Sequence, residues 1–139
     1  MFLIINSGCE CQTLILSLKG DVLFRYPQAQ GIYQRSGKMV GKSTWISSLA
    51  EMAIWYNSPN MDWMIGPLSY LGGSIQYIDG FGDQGKLSCP YTVPNNTWKY
   101  KTREWVVPDN IDINVKCLAG KETLFRDHLF KTSGNFHNF

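Results

Sequence analysis

The stretch MAIWYNSPNMDWMIG, residues 52–66, decides the fold. Ile54, Trp55 and Tyr56 form a run of β-branched and aromatic side chains, which suit a pleated, half-buried surface better than a helix. Asn57-Ser58-Pro59-Asn60 follows with turn chemistry, because asparagine and serine side chains bond their own backbone and proline presets φ. Met61 to Gly66 then resumes the apolar, aromatic pattern, so the chain is expected to reverse into a hairpin.

The same grammar repeats outward from this hairpin. Toward the N-terminus, Ser43 to Ser48 with Trp45 and Ile46 reads as a strand, set off by a break at Gly37 to Gly41. Gly31-Ile32-Tyr33 reads as a short strand, and Asp21 to Gln30, which holds Pro27, as the segment leading to it. From Thr13 to Gly20, Leu14, Leu16 and Leu18 alternate with Ile15 and Ser17, the pattern of a strand buried on one face and partly on the other. Toward the C-terminus, Gly72-Gly73 opens a further segment, Ser74 to Ile78, whereas Asp79 to Gly85 is rich in glycine and aspartate, lacks periodicity and reads as an exposed loop. Trp98 to Tyr100 and Glu104 to Val107 flank a short break and form a second hairpin candidate. Pro108-Asp109-Asn110 then turns into a last strand, Ile111 to Cys117.

The fold class expected is therefore all-β, a small antiparallel meander closed into a sandwich or barrel. A parallel βαβ arrangement is excluded for want of crossover helices. The good helical pattern is Lys121 to Lys131, where Leu124, Phe125, His128 and Leu129 share a face, and it predicts a short C-terminal helix or tail. The expected boundaries are an N-terminal extension at 1–12, the β-domain at 13–118 and the tail at 119–139.

Composition agrees with one domain of this class. The 139 residues are only 17% charged and as much as 14% aromatic, so large flat side chains must do much of the packing. The net charge of +2 is small and the lysines and arginines form no run, so no nucleic-acid footprint is present. No stretch approaches the ~20 apolar residues of a membrane-spanning helix. Met1 to Ile5 is too short, and lacks the basic flank, for a signal peptide.

Cys9, Cys11, Cys89 and Cys117 allow three full pairings, and spacing does not choose among them. A bond between Cys89, in a turn-rich stretch, and Cys117, at the end of the last strand, clips a loop to a strand and is worth ~3 to 4 kcal/mol on the chain-entropy model. Cys9 and Cys11 form a C-x-C without the second pair that a zinc site wants. Asn95-Asn96-Thr97 is a glycosylation sequon on an expected loop, which agrees with export.

Candidate chemistry is sparse. Gly41-Lys42-Ser43-Thr44 resembles the end of a phosphate-binding loop, but Ser36 stands where that loop needs its first glycine, and neither the preceding buried strand nor the following helix is in place. Asp79 and Asp83, with glycines between them, are a weak calcium candidate that lacks the further acids of an EF-hand. The histidines, His128 and His137, lie in the tail, which leaves a hydrolytic triad on the β-domain without a base. Carboxylate pairs, Glu104 with Asp109 or Asp109 with Asp112, are the remaining route to a small hydrolase, although turns favour acidic residues anyway. Trp45, Trp55, Trp63, Trp98 and Trp105 are the unusual feature. Exposed tryptophans make platforms for sugar rings, whereas buried ones fill a small core. Trp55, Trp63, Trp98 and Trp105 are candidate ligand-binding residues, and stacking across the two hairpins is the alternative for both pairs.

Taken in order, Gly31-Ile32-Tyr33, Gly41 with Trp45, Ile54-Trp55-Tyr56, Trp63-Met64-Ile65-Gly66, Cys89-Pro90, Trp98-Lys99-Tyr100, Trp105 and Ile113-Asn114-Val115-Lys116-Cys117 resemble a recurrent module. It is similar to small all-β repeats of extracellular multidomain invertebrate proteins, roughly G-x-Y, G-x-x-x-[WY], I-x-Y, W-x-I-G, C-P, W-x-Y, W, I-x-V-x-C. Forms without cysteines occur in protists. The likeness runs from about Leu14 to Cys117. It implies a Cys89–Cys117 bond, a secreted or ectodomain setting and use as one module among others, and it supplies no catalytic residues. The tail after Ala119 and the missing signal peptide depart from the pattern, as in an excised or partial chain. The function expected is thus a non-enzymatic extracellular module for adhesion or matrix assembly. Its partners are other extracellular proteins or glycans, with no nucleic acid, no membrane insertion and no cofactor, and a carbohydrate-binding domain is the alternative.

Overall fold

The computed structural model describes residues 9–39, 41–81 and 89–118, and nine strands among them form one antiparallel sheet. These are β1 (Thr13–Leu18), β2 (Gly31–Met39), β3 (Lys42–Ser47), β4 (Met52–Asn57), β5 (Asp62–Pro67), β6 (Ile78–Phe81), β7 (Trp98–Lys101), β8 (Trp105–Val106) and β9 (Ile113–Leu118). One short helix, α1 (Gly20–Arg25), lies between β1 and β2. The spatial order is β8-β7-β6-β5-β4-β3-β2-β1-β9. The strands from β1 to β8 thus pair in chain order, and β9 returns to lie beside β1. This is the all-β meander expected from sequence, curled into a half-barrel with β8 and β9 as its edges.

The hairpin of residues 52–66 sets the pattern of both faces. Tyr56 stands opposite Trp63, Ile54 opposite Ile65 and Trp55 opposite Met64. Because side chains alternate along a strand, Ile54, Tyr56, Trp63 and Ile65 face one side and Trp55 and Met64 the other. Both sides are covered, which is why all five residues from Met52 to Tyr56 are buried. On the inner side Trp63 meets Trp45 and Tyr56 edge-on, with ring centroids 5.9 and 5.2 Å apart. Leu14, Leu16, Tyr33, Trp98, Ile113 and Val115 complete this main core.

The hollow of the half-barrel is filled by α1 and a 3₁₀ turn, Pro27–Ala29, whose Val22 and Ala29 are fully buried. A six-residue helix is marginal alone. Tertiary contacts hold it: Tyr26 stacks on Tyr77 at 4.4 Å, its hydroxyl donates to the Lys101 carbonyl, and the Tyr100 hydroxyl donates to Asp21 at 2.9 Å. The helix thereby ties β1 and β2 to β7 across the open side of the sheet.

On the outer side a smaller cluster of Ala53, Trp55 and Met64 packs with Ile46, Leu68 and Leu71. The connection after β5 folds back over it, and the Trp55 indole donates to the Gly73 carbonyl at 3.3 Å. Gly66 permits that approach, since a Cβ there would sit 3.1 Å from the Gln76 Cα.

Several local expectations are corrected. Ser74 to Tyr77 forms no strand, and its Ile75–Gln76 backbone passes over Gly66 beside Trp55, whereas Ile78–Phe81, placed largely in an exposed loop from sequence, is strand β6, with Ile78, Asp79 and Gly80 buried. The physical reason is Gly80, whose missing side chain leaves room for the Trp98 ring; a Cβ would lie 2.5 Å from it. The strand opening at Gly31 does not stop at Gly37 but runs to Met39 through an irregularity between Arg35 and Gly37. Val40, Gly82 to Ser88 and the segment after Leu118 lie outside the described residues, and with them Asp83, the helix expected at Lys121 to Lys131, His128 and His137.

The cysteine pairing is corrected too. Cys89 and Cys117 are both in disulfides but not with each other: Cys9 bonds Cys89 and Cys11 bonds Cys117, with Cα separations of 5.6 and 5.9 Å. Register explains the second bond, because Cys117 pairs with Leu14 across β9 and β1, so the residues just before β1 arrive beside it. The segment from Cys9 to Gln12 is built into the domain. The Trp45 indole donates to the Cys11 carbonyl at 3.0 Å, and the Arg35 amide donates to that of Gln12 at 2.8 Å.

Candidate functional site

Strand alternation decides which tryptophans are available. Trp45, Trp55, Trp63 and Trp98 are each at most 1% exposed, so the ligand-binding roles expected for Trp55, Trp63 and Trp98 are corrected: these rings are core. Trp98 lies flat on Gly80 and Trp55 lies under the Gly73 connection. Trp105 is different. It is half-buried on β8, opposite Lys101, and both residues point to the outer side.

Around Trp105 the outer side carries a connected set of polar groups. The Lys99 and Lys101 ammoniums lie 5.1 and 5.4 Å from the Trp105 ring centroid, within cation–π range. Lys99 stands opposite Asp79 across β7 and β6, and its ammonium is 3.7 Å from Asp79 Oδ2. Asp79 in turn neighbours Asp62, which lies diagonally across β6 and β5, where Asp62 pairs with Phe81 and Met64 with Asp79. Both aspartates are buried, and Oδ1 of each lacks a hydrogen-bond partner among the described residues. Burial, reinforced by the adjacent Asp62 and opposed by Lys99, pushes the Asp79 carboxyl up to about 8. At neutral pH Asp79 therefore holds its proton.

The sequence does not announce this pair, because Asp79 falls in the glycine-rich run that reads as loop. Its signal was the alternation Ile78, Asp79, Gly80, which becomes visible only once glycine is allowed as a side-chain position beneath a tryptophan. Chemically, two carboxyl groups in contact and closed off from solvent leave no room for a sugar ring between them, whereas a glycosidase pair stands about 5 to 9.5 Å apart.

The other candidates fall as follows. Asp79 of the calcium candidate turns toward Asp62, and no group of three or more histidine, cysteine or acidic side chains suited to a metal is found among the described residues. Glu104 and Asp109 are exposed, and Asp109 and Asp112 form a turn in which the Asp112 amide donates to the Asp109 carbonyl at 2.9 Å. Gly41 lies in the connection between β2 and β3, and Lys42 opens β3 opposite Met39 with its ammonium 5.0 Å from the Tyr56 ring centroid, an arrangement unlike a strand-to-helix phosphate loop. Asn95 is exposed and opens the 3₁₀ turn Asn95–Thr97, so the sequon is on the surface.

Fold and site together define a disulfide-bonded, all-β domain whose one partly open tryptophan sits among lysines at a sheet edge. Compared with known proteins, the chain matches no family model, no curated protein and no solved structure.

Proposed function

We propose that this chain is an extracellular module that binds or builds, in adhesion or matrix assembly, rather than an enzyme. The observation that carries the reading is the pair of disulfides. Cys9–Cys89 and Cys11–Cys117 tie the start of the described chain to its middle and to its last strand, and such bonds form and persist in oxidising compartments. No helix among the described residues is long and apolar enough to cross a membrane. The exposed sequon at Asn95 fits the same setting.

The likeness to invertebrate extracellular repeats supports this reading in a limited way. Tyr33, Trp45, Ile54, Tyr56, Trp63, Ile65, Trp98, Tyr100, Ile113 and Val115, which carry the repeat pattern, all lie in the inner core. They are core residues, so on this reading the pattern reports packing and the binding chemistry is left to the outer side. A second reading, carbohydrate binding, is favoured by one observation: Trp105 keeps an accessible ring among cations while the other four tryptophans do not.

The test is to secrete the chain from eukaryotic cells and map its disulfides by mass spectrometry without reduction. The expected result is two cross-linked peptide pairs, Cys9 with Cys89 and Cys11 with Cys117. Exported, folded protein carrying free thiols at these positions would remove the basis of the proposal.

A further inference from the structure

We propose that the outer edge formed by Lys99, Lys101 and Trp105 is a binding site for an anionic polysaccharide, one bearing sulfate or carboxylate groups. This inference rests on the extracellular-module reading and names the partner chemistry for it.

The hairpin from Trp98 to Val106 holds three cations, Lys99, Lys101 and Arg103, and a single acid, Glu104. Alternation puts Lys99 and Lys101 on the same side as Trp105, so two ammoniums are gathered about one indole. Two like charges held at one ring repel each other and are stable there through the ring quadrupole and a nearby anion. The nearest carboxyl group is that of Asp79, 3.7 Å from Lys99, and its burial beside Asp62 pushes it up to about 8, so at neutral pH it offsets the Lys99 charge only in part. Lys101 has no ion pair among the described residues, and Arg103 is exposed without one. The site is thus an indole with an excess of positive charge around it.

Those two elements select a ligand class. A sugar ring offers C–H groups to an indole face, and its sulfate or carboxylate substituents accept charge-assisted hydrogen bonds from lysine. β8 is only two residues long and is a sheet edge, so an extended polymer can pass along it without meeting another strand. An acidic peptide satisfies the charges but gains little from a flat, half-buried ring. A neutral glycan satisfies the ring and leaves the lysines unused.

The experiment measures binding of the secreted, disulfide-mapped protein to heparin, to neutral dextran and to polyglutamate at physiological salt. Heparin binding is expected, weakening as salt rises, with clear preference over both other polymers. Lys101→Gln and Trp105→Leu should each weaken it about three- to tenfold, and Trp105→Phe, which keeps a ring, should lose less. Lys116→Gln, on the opposite edge strand, is expected to bind as the parent does. Thermal melting shows whether each variant is folded, and if Trp105→Leu fails to fold, Lys101→Gln and Trp105→Phe carry the test. Absence of heparin binding, equal binding to polyglutamate, or binding indifferent to Lys101 and Trp105 would each overturn the site. Any of these outcomes in protein with both disulfides intact leaves the extracellular reading standing, whereas free thiols in exported protein remove that reading whatever the polymers do.

Discussion

At the scale of single residues, Asp79 and Gly80 show how one position can invert the meaning of its neighbour. Asp79 is ionisable, buried and set against Asp62, so its proton is held far above the ordinary carboxylate range. The sign of the consequence follows from proton counting. Between the unfolded value of 3.8 and the folded value of about 8 the native state binds more protons than the unfolded chain, so stability falls as pH rises through that window and levels off above it. Asp79→Asn keeps the shape, gives Asp62 an amide donor and removes the titration. Denaturant unfolding at pH 8 is expected to show the variant more stable by on the order of 2 kcal/mol, with a flatter pH profile between 4 and 8. A variant less stable at pH 8 would mean that the carboxylate is paired with Lys99 rather than penalised by Asp62. Gly80→Ala should act oppositely, since the added methyl meets a buried indole; a loss of about 1 to 3 kcal/mol in the same measurement is expected. Neither residue was legible from sequence, where glycine and aspartate together spell loop. Their meaning depends on Trp98, nearly twenty residues away along the chain and directly overhead in the fold.

At the scale of elements, what was legible is what local physics decides. The 52–66 hairpin and the Trp98 to Val106 hairpin are specified by adjacent apolar runs and by turn residues, and both form with the expected polarity. Helix α1 was not visible, because six residues ending before Pro27 have little helical drive of their own and depend on Tyr26 and Tyr100 reaching across to distant partners. The disulfides were half visible for the same reason: that Cys117 ends the last strand can be read, but that β9 returns beside β1 cannot. This placement predicts how the edge fails. Among the described residues β9 pairs with β1 alone, and Cys11–Cys117 pins its end, so replacing both cysteines with serine should raise amide exchange first in Ile113–Leu118. Loss of Cys9–Cys89 should loosen the turn at Pro90–Thr92 instead and leave β9 protected. The loops closed span 80 and 106 residues, so the chain-entropy cost is nearly equal, about 4 to 5 kcal/mol for each. Exchange mapping therefore separates the two bonds where melting temperature does not.

At the scale of the whole molecule, the division of labour between the faces bears on compartment and function together. The inner side is occupied by aromatic and aliphatic residues and the hollow beneath is plugged by α1, which leaves the rim and the outer side as the sheet's free surface. Asn95 lies in the connection between the Cys89 turn and β7. It is exposed and begins a 3₁₀ turn, and the Thr97 hydroxyl donates to the Pro94 carbonyl at 2.8 Å. A sequon that stays on the surface of the folded domain gives a transferred glycan a place in solvent, at no cost to the core. In eukaryotic secretory expression the protein is expected to run heavier than its 15.8 kDa polypeptide by one N-linked glycan, and endoglycosidase or Asn95→Gln should return it to the polypeptide mass. Folding of the variant should be unchanged, because no buried group is altered. Oxidised cysteines together with a glycan at Asn95 would join two independent signs of export in one molecule. Unmodified Asn95 in such protein with both disulfides formed would mean that the 3₁₀ turn at Asn95–Thr97 does not present the sequon for transfer, and the disulfides alone would then stand for an oxidising compartment.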